Sequence, residues 1–304
     1  MLSPLTGLVA APFTPFLANG DLACDTIPQL AALLHRNGVG AAFVCGTTGE
    51  GSSLTTAERM QVAAAWRQAL PAGLNLVVHV GHLSLRESIA LARHAHDIGA
   101  DAIATIAPNF FRPPDAPALV DWCREIAAAA PDTPFYYYHM PAMTGVTIPV
   151  RDFIAALDDQ IPNFAGVKFT DEDLVDYADS RALAKNRYTV LFGRDEILLS
   201  ALRLGAPGAV GSTYNYAAPL YHRIMSAFAA GDQASAERDQ RRARQFIDIM
   251  NRYGGLPAGK TIMKFIGVDC GSVRLPLRAL TAQAEISFRT ELEACGFFDY
   301  ASRL

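Results

Sequence analysis

Short apolar runs alternate with longer amphipathic ones along most of this chain. The short runs lie at residues 7–11, 41–45, 76–80, 102–106, 135–138, 167–169, 189–192 and 209–212. They are rich in Val, Ile, Phe and Ala, and their length suits buried strands. A stretch with apolar residues at helical spacing follows each one: 27–36, 57–69, 85–98, 119–129, 150–157, 174–183, 197–204 and 219–229. Eight strand-to-helix units in about 230 residues predict a closed (β/α)8 TIM barrel. An open doubly wound sheet is the alternative, but no Gly-x-Gly-x-x-Gly follows the first strand.

Local signals agree with these boundaries. Thr55 with Glu58 and Ser84 with Glu87 read as capping boxes at two helix starts. Gly38, Gly99 and Gly205 follow helical stretches, where a left-handed cap is expected. Beyond about residue 230 the strand signal stops, and 233–250, 260–266 and 280–292 read as helices. The expected organisation is therefore a barrel over 1–230, with its site at the C-terminal ends of the strands. A helical extension over 231–304 packs on it and is available for subunit contacts.

Net charge is −4, which argues against a nucleic-acid or membrane-surface partner. The densest basic cluster, Arg241, Arg242 and Arg244, sits with Glu237 and Asp239 and reads as a solvated helix face. Cys24, Cys45, Cys123, Cys270 and Cys295 are odd in number and widely spaced, as reduced thiols of a cytoplasmic protein would be. No apolar run approaches the ~18 residues that span a bilayer.

Candidate chemistry begins with lysine. The chain has four lysines against twenty-two arginines, and Lys168 lies inside the apolar run Phe164-Ala165-Gly166-Val167-Lys168-Phe169-Thr170. One reading is a stem packed on apolar surface with its head in water. The other is a buried amine whose pKa falls, available as a nucleophile toward a carbonyl. Other strand ends carry polar residues. Gly46-Thr47-Thr48-Gly49-Glu50-Gly51 offers hydroxyls and N–H groups in a turn that accepts a carboxylate, although such turns also serve as plain loops. In Tyr136-Tyr137-Tyr138-His139-Met140-Pro141 the strand period puts Tyr136 and Tyr138 on one face and Tyr137 on the other. Tyr138 is either a proton relay or core packing. Thr170, Gly193, Asp195, Glu196 and Ser212 supply donors and acceptors suited to a polyhydroxylated substrate. Asp195 and Glu196 also fit a helix N-terminus. The histidines have no metal-binding spacing, and His139 is the one expected near the site, in a structural or substrate-shaping role. No metal and no cofactor are expected.

Three ordered motifs, Gly46-Thr47-Thr48-Gly49-Glu50, Tyr138-x-x-Pro141 and Gly166-Val167-Lys168-Phe169, resemble those of the pyruvate-dependent class I aldolases, the dihydrodipicolinate synthase and N-acetylneuraminate lyase family. The resemblance covers nearly the whole chain. The stretches 135–145, 191–202 and 208–216 look most like the animal-type members that cleave sialic acid. Where the synthases carry an arginine for a second carboxylate, this chain has Met143. The resemblance implies that Lys168 forms a Schiff base with a small-molecule 2-keto acid and Tyr138 relays protons. It implies that Thr47 and Thr48 hold the carboxylate, while Thr170, Gly193, Asp195, Glu196 and Ser212 receive the sugar hydroxyls. It further implies reversible cleavage of N-acetylneuraminate to pyruvate and N-acetylmannosamine by a homotetramer built as a dimer of dimers. A sibling aldolase or dehydratase acting on another 2-keto-3-deoxy sugar acid is the alternative, and a non-catalytic binding protein on the same barrel is a third. One departure is the segment Pro108-Asn109-Phe110-Phe111, where many family members present a tyrosine to the neighbouring subunit.

Overall fold

A computed structural model describes residues 4–304; the first three residues of the expected barrel segment lie outside it. Eight parallel strands close on themselves in chain order. They are β1 (Gly7–Ala10), β2 (Ala41–Val44), β3 (Asn75–His79), β4 (Ala102–Ile106), β5 (Phe135–His139), β6 (Phe164–Phe169), β7 (Thr189–Phe192) and β8 (Gly208–Gly211). Between them run α1 (Ile27–Arg36), α2 (Thr56–Ala69), α3 (Leu85–Asp97), α4 (Ala116–Ala127), the single turn α5 (Pro141–Thr144), α6 (Val150–Ala156), α7 (Leu174–Ala184) and α8 (Leu198–Arg203). After β8 come α9 (Tyr214–Ala229), α10 (Gln233–Arg252), α11 (Leu256–Phe265) and α12 (Ala282–Ala294). The expected (β/α)8 architecture with C-terminal helices is what the chain forms.

The period-two alternation of each strand divides the core in two. Val9, Phe43, Val77, Ala104, Tyr136, Tyr138, Leu191 and Val210 point into the barrel and pack together. Leu8, Val44, Leu76, Ile103, Tyr137, Val167, Phe169 and Phe192 point outward against the helices. Phe169 and Phe192 are fully buried and stack with ring centroids 6.4 Å apart. Burial of each contributes about 2–3 kcal/mol.

The caps divide. Thr55 and Glu58 form the full reciprocal box, and Gly38, Gly99 and Gly205 take φ of +71°, +74° and +81°. Ser84 does not cap: its side chain accepts no bond from the first turn of α3, and Glu87 instead accepts from Thr56 Oγ1 at 2.7 Å. A tertiary partner has displaced the local one.

The C-terminal helices are tied to the barrel by buried polar contacts. Asp239 on α10, expected on a solvated face, is buried. It accepts a two-pronged pair from Arg223 at 2.8 and 2.9 Å and a third bond from Arg242 at 2.9 Å. Next to it, Gln240 donates to the carbonyls of Asp195 and Glu196 at 3.0 and 3.1 Å and accepts from Leu199 N at 2.8 Å. One amide thus holds the loop after β7.

Candidate active site

The register between β5 and β6 pairs Tyr138 with Lys168 and His139 with Phe169. Tyr138 and Lys168 therefore stand side by side on the inner face. Lys168 is 5% exposed, and its Nζ lies 4.0 Å from the Tyr138 ring centroid and 4.3 Å from that of Phe43. The two ring faces offset part of the cost of burying that nitrogen as an ammonium. Among the described residues it makes no ion pair. The other buried lysine, Lys260, lies 2.8 Å from Glu50 Oε1. Two residues before Lys168, Gly166 leaves room for the inner layer: a Cβ there would fall 2.0 Å from the Thr189 carbonyl oxygen and 2.9 Å from the Tyr136 ring.

Lys168 opens into a cavity of about 240 Å³ at the C-terminal ends of the strands. Thr47, Thr48, Tyr138, Thr170, Gly193, Asp195, Glu196 and Ser212 all line it. The structure thus brings Lys168 and the other proposed catalytic and substrate-binding residues to one cavity. The cavity has two polar sides. On one, Thr47 Oγ1 is 3.4 Å from the Tyr138 hydroxyl, which donates to Met140 Sδ at 2.8 Å. On the other, Thr170 Oγ1 is buried without a hydrogen-bond partner among the described residues. A Cβ at Gly193 would lie 2.0 Å from that oxygen, so glycine lets the hydroxyl sit there.

Asp195 is buried and accepts from Thr213 Oγ1 at 2.6 Å and from Thr213 N at 3.4 Å. Its carboxylate sits where a Cβ of Gly211 would be, 2.2 Å from Oδ1. Burial, then the charge of Glu196, push its pKa up from 3.8 to about 6, against the Thr213 and Tyr214 hydrogen bonds. A carboxyl whose folded pKa is raised is protonated more readily in the folded state. It therefore destabilises the fold once pH exceeds about 6, and the penalty fades as pH falls toward the unfolded value. The full penalty is on the order of 3 kcal/mol. Asp195→Asn is expected to raise the unfolding temperature at pH 8 and to gain little at pH 4.5. A gap of the same size at both pH values, measured by thermal unfolding, would contradict this account.

The histidine expectation needs correction. His139 points outward, with its ring 5.4 Å from Phe169 and its Nε2 3.7 Å from Asp171. The strand period that puts Tyr138 inside puts its neighbour outside. His79, at the end of β3, is the histidine that packs behind the site: its ring meets Tyr138 edge-on at 6.0 Å and Phe43 at 6.1 Å. Arg59, itself buried, donates to the carbonyls of His79 and Gly81 at 2.5 and 2.7 Å. Burial, then the charges of Arg59 and Lys168, hold the imidazole well below its usual pKa, so it is neutral. The strand parity of β3 was the available signal. Sequence reading also missed Ile247, Met250, Asn251 and Leu256, which α10 and α11 bring to the cavity wall. No group of three or more metal-ligating side chains occurs among the described residues.

A parallel eight-stranded barrel with an unpaired lysine beside a tyrosine in its mouth defines the class: a barrel equipped for amine chemistry on a carbonyl. Comparison with known proteins then places the chain. It matches the Dihydrodipicolinate synthetase family over residues 4–295 and belongs to that family. The N-acetylneuraminate lyase of Rattus norvegicus is 44% identical over 301 residues, 97% of this chain and 94% of the relative. Among solved structures, the N-acetylneuraminate lyase of Proteus mirabilis superposes with a TM-score of 0.94 at 39% identity, covering 97% of this chain and all of that one. A catalytic lysine mutant of the Ruminococcus gnavus sialic acid aldolase superposes with a TM-score of 0.91 at 26% identity, over 97% of this chain and 96% of that one.

Proposed function

We propose that this chain is a Schiff-base-forming carbon–carbon lyase that cleaves N-acetylneuraminate reversibly to pyruvate and N-acetylmannosamine. The observation that carries the reading is Lys168: an amine without a counter-charge, between two aromatic rings, opening into a cavity with hydroxyls on one side and carboxylates on the other. The names of the 42–45% identical relatives supply the particular substrate.

The amine of Lys168 attacks the C2 ketone, and water leaves as the imine forms. The protonated imine draws electrons from the C3–C4 bond. Tyr138 relays the proton of the C4 hydroxyl, accepting it as its own phenolic proton passes to the substrate carboxylate held beside Thr47, and the bond breaks to release the aldehyde of N-acetylmannosamine. The enamine left on Lys168 regains a proton at C3, and water returns to release pyruvate. Thr47 and Thr48 hold the C1 carboxylate. Thr170, Gly193, Asp195, Glu196 and Ser212 pair with the sugar hydroxyls. The protein needs no metal and no cofactor for these steps.

The test is pyruvate release across a panel of 2-keto-3-deoxy sugar acids. Turnover of N-acetylneuraminate well above the others is expected. Turnover of a different keto-deoxy acid, with none of sialic acid, would move the assignment to a sibling aldolase or dehydratase.

We further propose that residues 1–230 form the site-bearing barrel and 231–304 the extension. No helix among the described residues is long and apolar enough to cross a membrane, and a cytoplasmic location fits that. Phe110 and Phe111 are 76% and 86% exposed and pack edge to face at 5.0 Å. Rings so exposed fit a subunit contact, in keeping with a homotetramer, which sedimentation would measure.

A further inference from the structure

We propose that the buried Glu50–Lys260 ion pair positions the Thr47–Thr48 turn, making the C-terminal helices a working part of the carboxylate site. The inference rests on the reading that Thr47 and Thr48 hold the substrate carboxylate.

The turn does not hold its own shape cheaply. Cys45 and Glu50, neither of them glycine, take φ of +58° and +52°. Left-handed backbone at such residues is strained and persists only where surroundings impose it. At Gly51 a Cβ would meet the Cys45 carbonyl oxygen at 2.0 Å, so the turn is folded tightly on itself. Inside the turn, Glu50 N donates to the Thr47 carbonyl and Gly51 N to that of Gly46, both at 3.0 Å.

The restraints from outside are specific. The Glu50 side chain is 1% exposed, and its Oε1 faces Lys260 Nζ at 2.8 Å. Its Oε2 accepts from Arg274 N at 2.9 Å. Lys260, on α11, is itself fixed: Nζ donates to the Ser272 carbonyl at 2.6 Å and lies 4.2 Å from the Phe16 ring centroid. The Arg274 guanidinium also bridges to Glu58 and to the Ser53 carbonyl, just past the turn. Both partners of Glu50 therefore come from beyond residue 256, more than two hundred positions along the chain.

A buried ion pair is a poor source of stability. Taking both ions out of water is costly, and apolar residues of equal volume often serve as well or better. What the pair supplies here is a direction. It pins Glu50, two residues from Thr48, and leaves the Thr47 and Thr48 side chains facing the cavity. The same contacts occupy the nitrogen of Lys260, so the second buried lysine has no free amine for a ketone.

The experiment follows pyruvate-dependent borohydride inactivation and unfolding temperature in Glu50→Gln, Lys260→Met, the double variant, Lys260→Arg and Thr48→Ala. Half-saturation by pyruvate reports the carboxylate site, and the rate at saturation reports imine formation. Each neutralising single variant is expected to unfold at lower temperature. The double variant is expected to recover much of that loss while still needing about tenfold more pyruvate for half-saturation, with the saturated rate changed little. Lys260→Arg, which keeps the charge, should fall nearer the wild type. A double variant with wild-type half-saturation would overturn the proposal and leave the pair a packing feature. Thr48→Ala separates the two ideas: if it leaves half-saturation unchanged, the assignment of the turn to the carboxylate fails, whatever the ion pair does.

Discussion

Replacing Lys168 with Ala or Arg is expected to lower the cleavage rate by at least about 10⁴-fold, the scale seen when a covalent nucleophile is removed. The Arg variant is the sharper of the two. It keeps a positive charge between Phe43 and Tyr138 but has no amine that can condense with a ketone. Both variants should stay folded, because Lys168 makes no hydrogen bond or ion pair among the described residues and contributes only its contact with two rings. Activity within tenfold of wild type in the Arg variant would remove the covalent step from the account. Loss of activity with loss of fold would be visible in the same preparation by circular dichroism.

Tyr138→Phe should separate the two halves of the reaction. The ring stays, so the packing against Phe43 at 5.7 Å, against His79 at 6.0 Å and over the Lys168 amine at 4.0 Å is retained. Only the hydroxyl is lost, together with its contacts to Met140 Sδ and Thr47 Oγ1. Proton transfer by a positioned group is worth about 10²–10⁴-fold, and cleavage should fall by that much. Pyruvate should still bind, since the Thr47 and Thr48 turn is untouched. A variant that cleaves at the wild-type rate would free Tyr138 from the relay. Met140 would then be without a reason for its place beside the hydroxyl.

Most of the barrel was legible because its signals are short-range. Strands β4 and β7 run over the very residues their apolar runs mark, 102–106 and 189–192. The site was legible because barrel strands deliver their last residues to one rim, so polar residues at strand ends converge whatever their separation in sequence. What failed depended on partners far along the chain. Ser84 lost its expected cap because Glu87 meets Thr56. Asp239 looked solvated until Arg223 and Arg242 closed on it. The histidines are an exception with a local cause: side chains alternate along a strand, so His139 faces outward beside the inward Tyr138, while His79 meets the Tyr138 ring. The walls supplied by α10 and α11 carry no motif: Ile247 and Met250 read as ordinary apolar helix positions, and Leu256 falls before the helix expected over 260–266. Nor does local pattern show that Glu50, near the end of a Gly-Thr turn, faces Lys260 and Arg274.

The central claim is that one particular amine bonds to the keto carbon. Incubation with pyruvate and borohydride, followed by peptide mass mapping, tests it without assuming the sugar. The account predicts a single reduced pyruvyl adduct, located on Lys168 and missing from the Lys168→Ala variant. An adduct on Lys260, or turnover with no adduct anywhere, would contradict it.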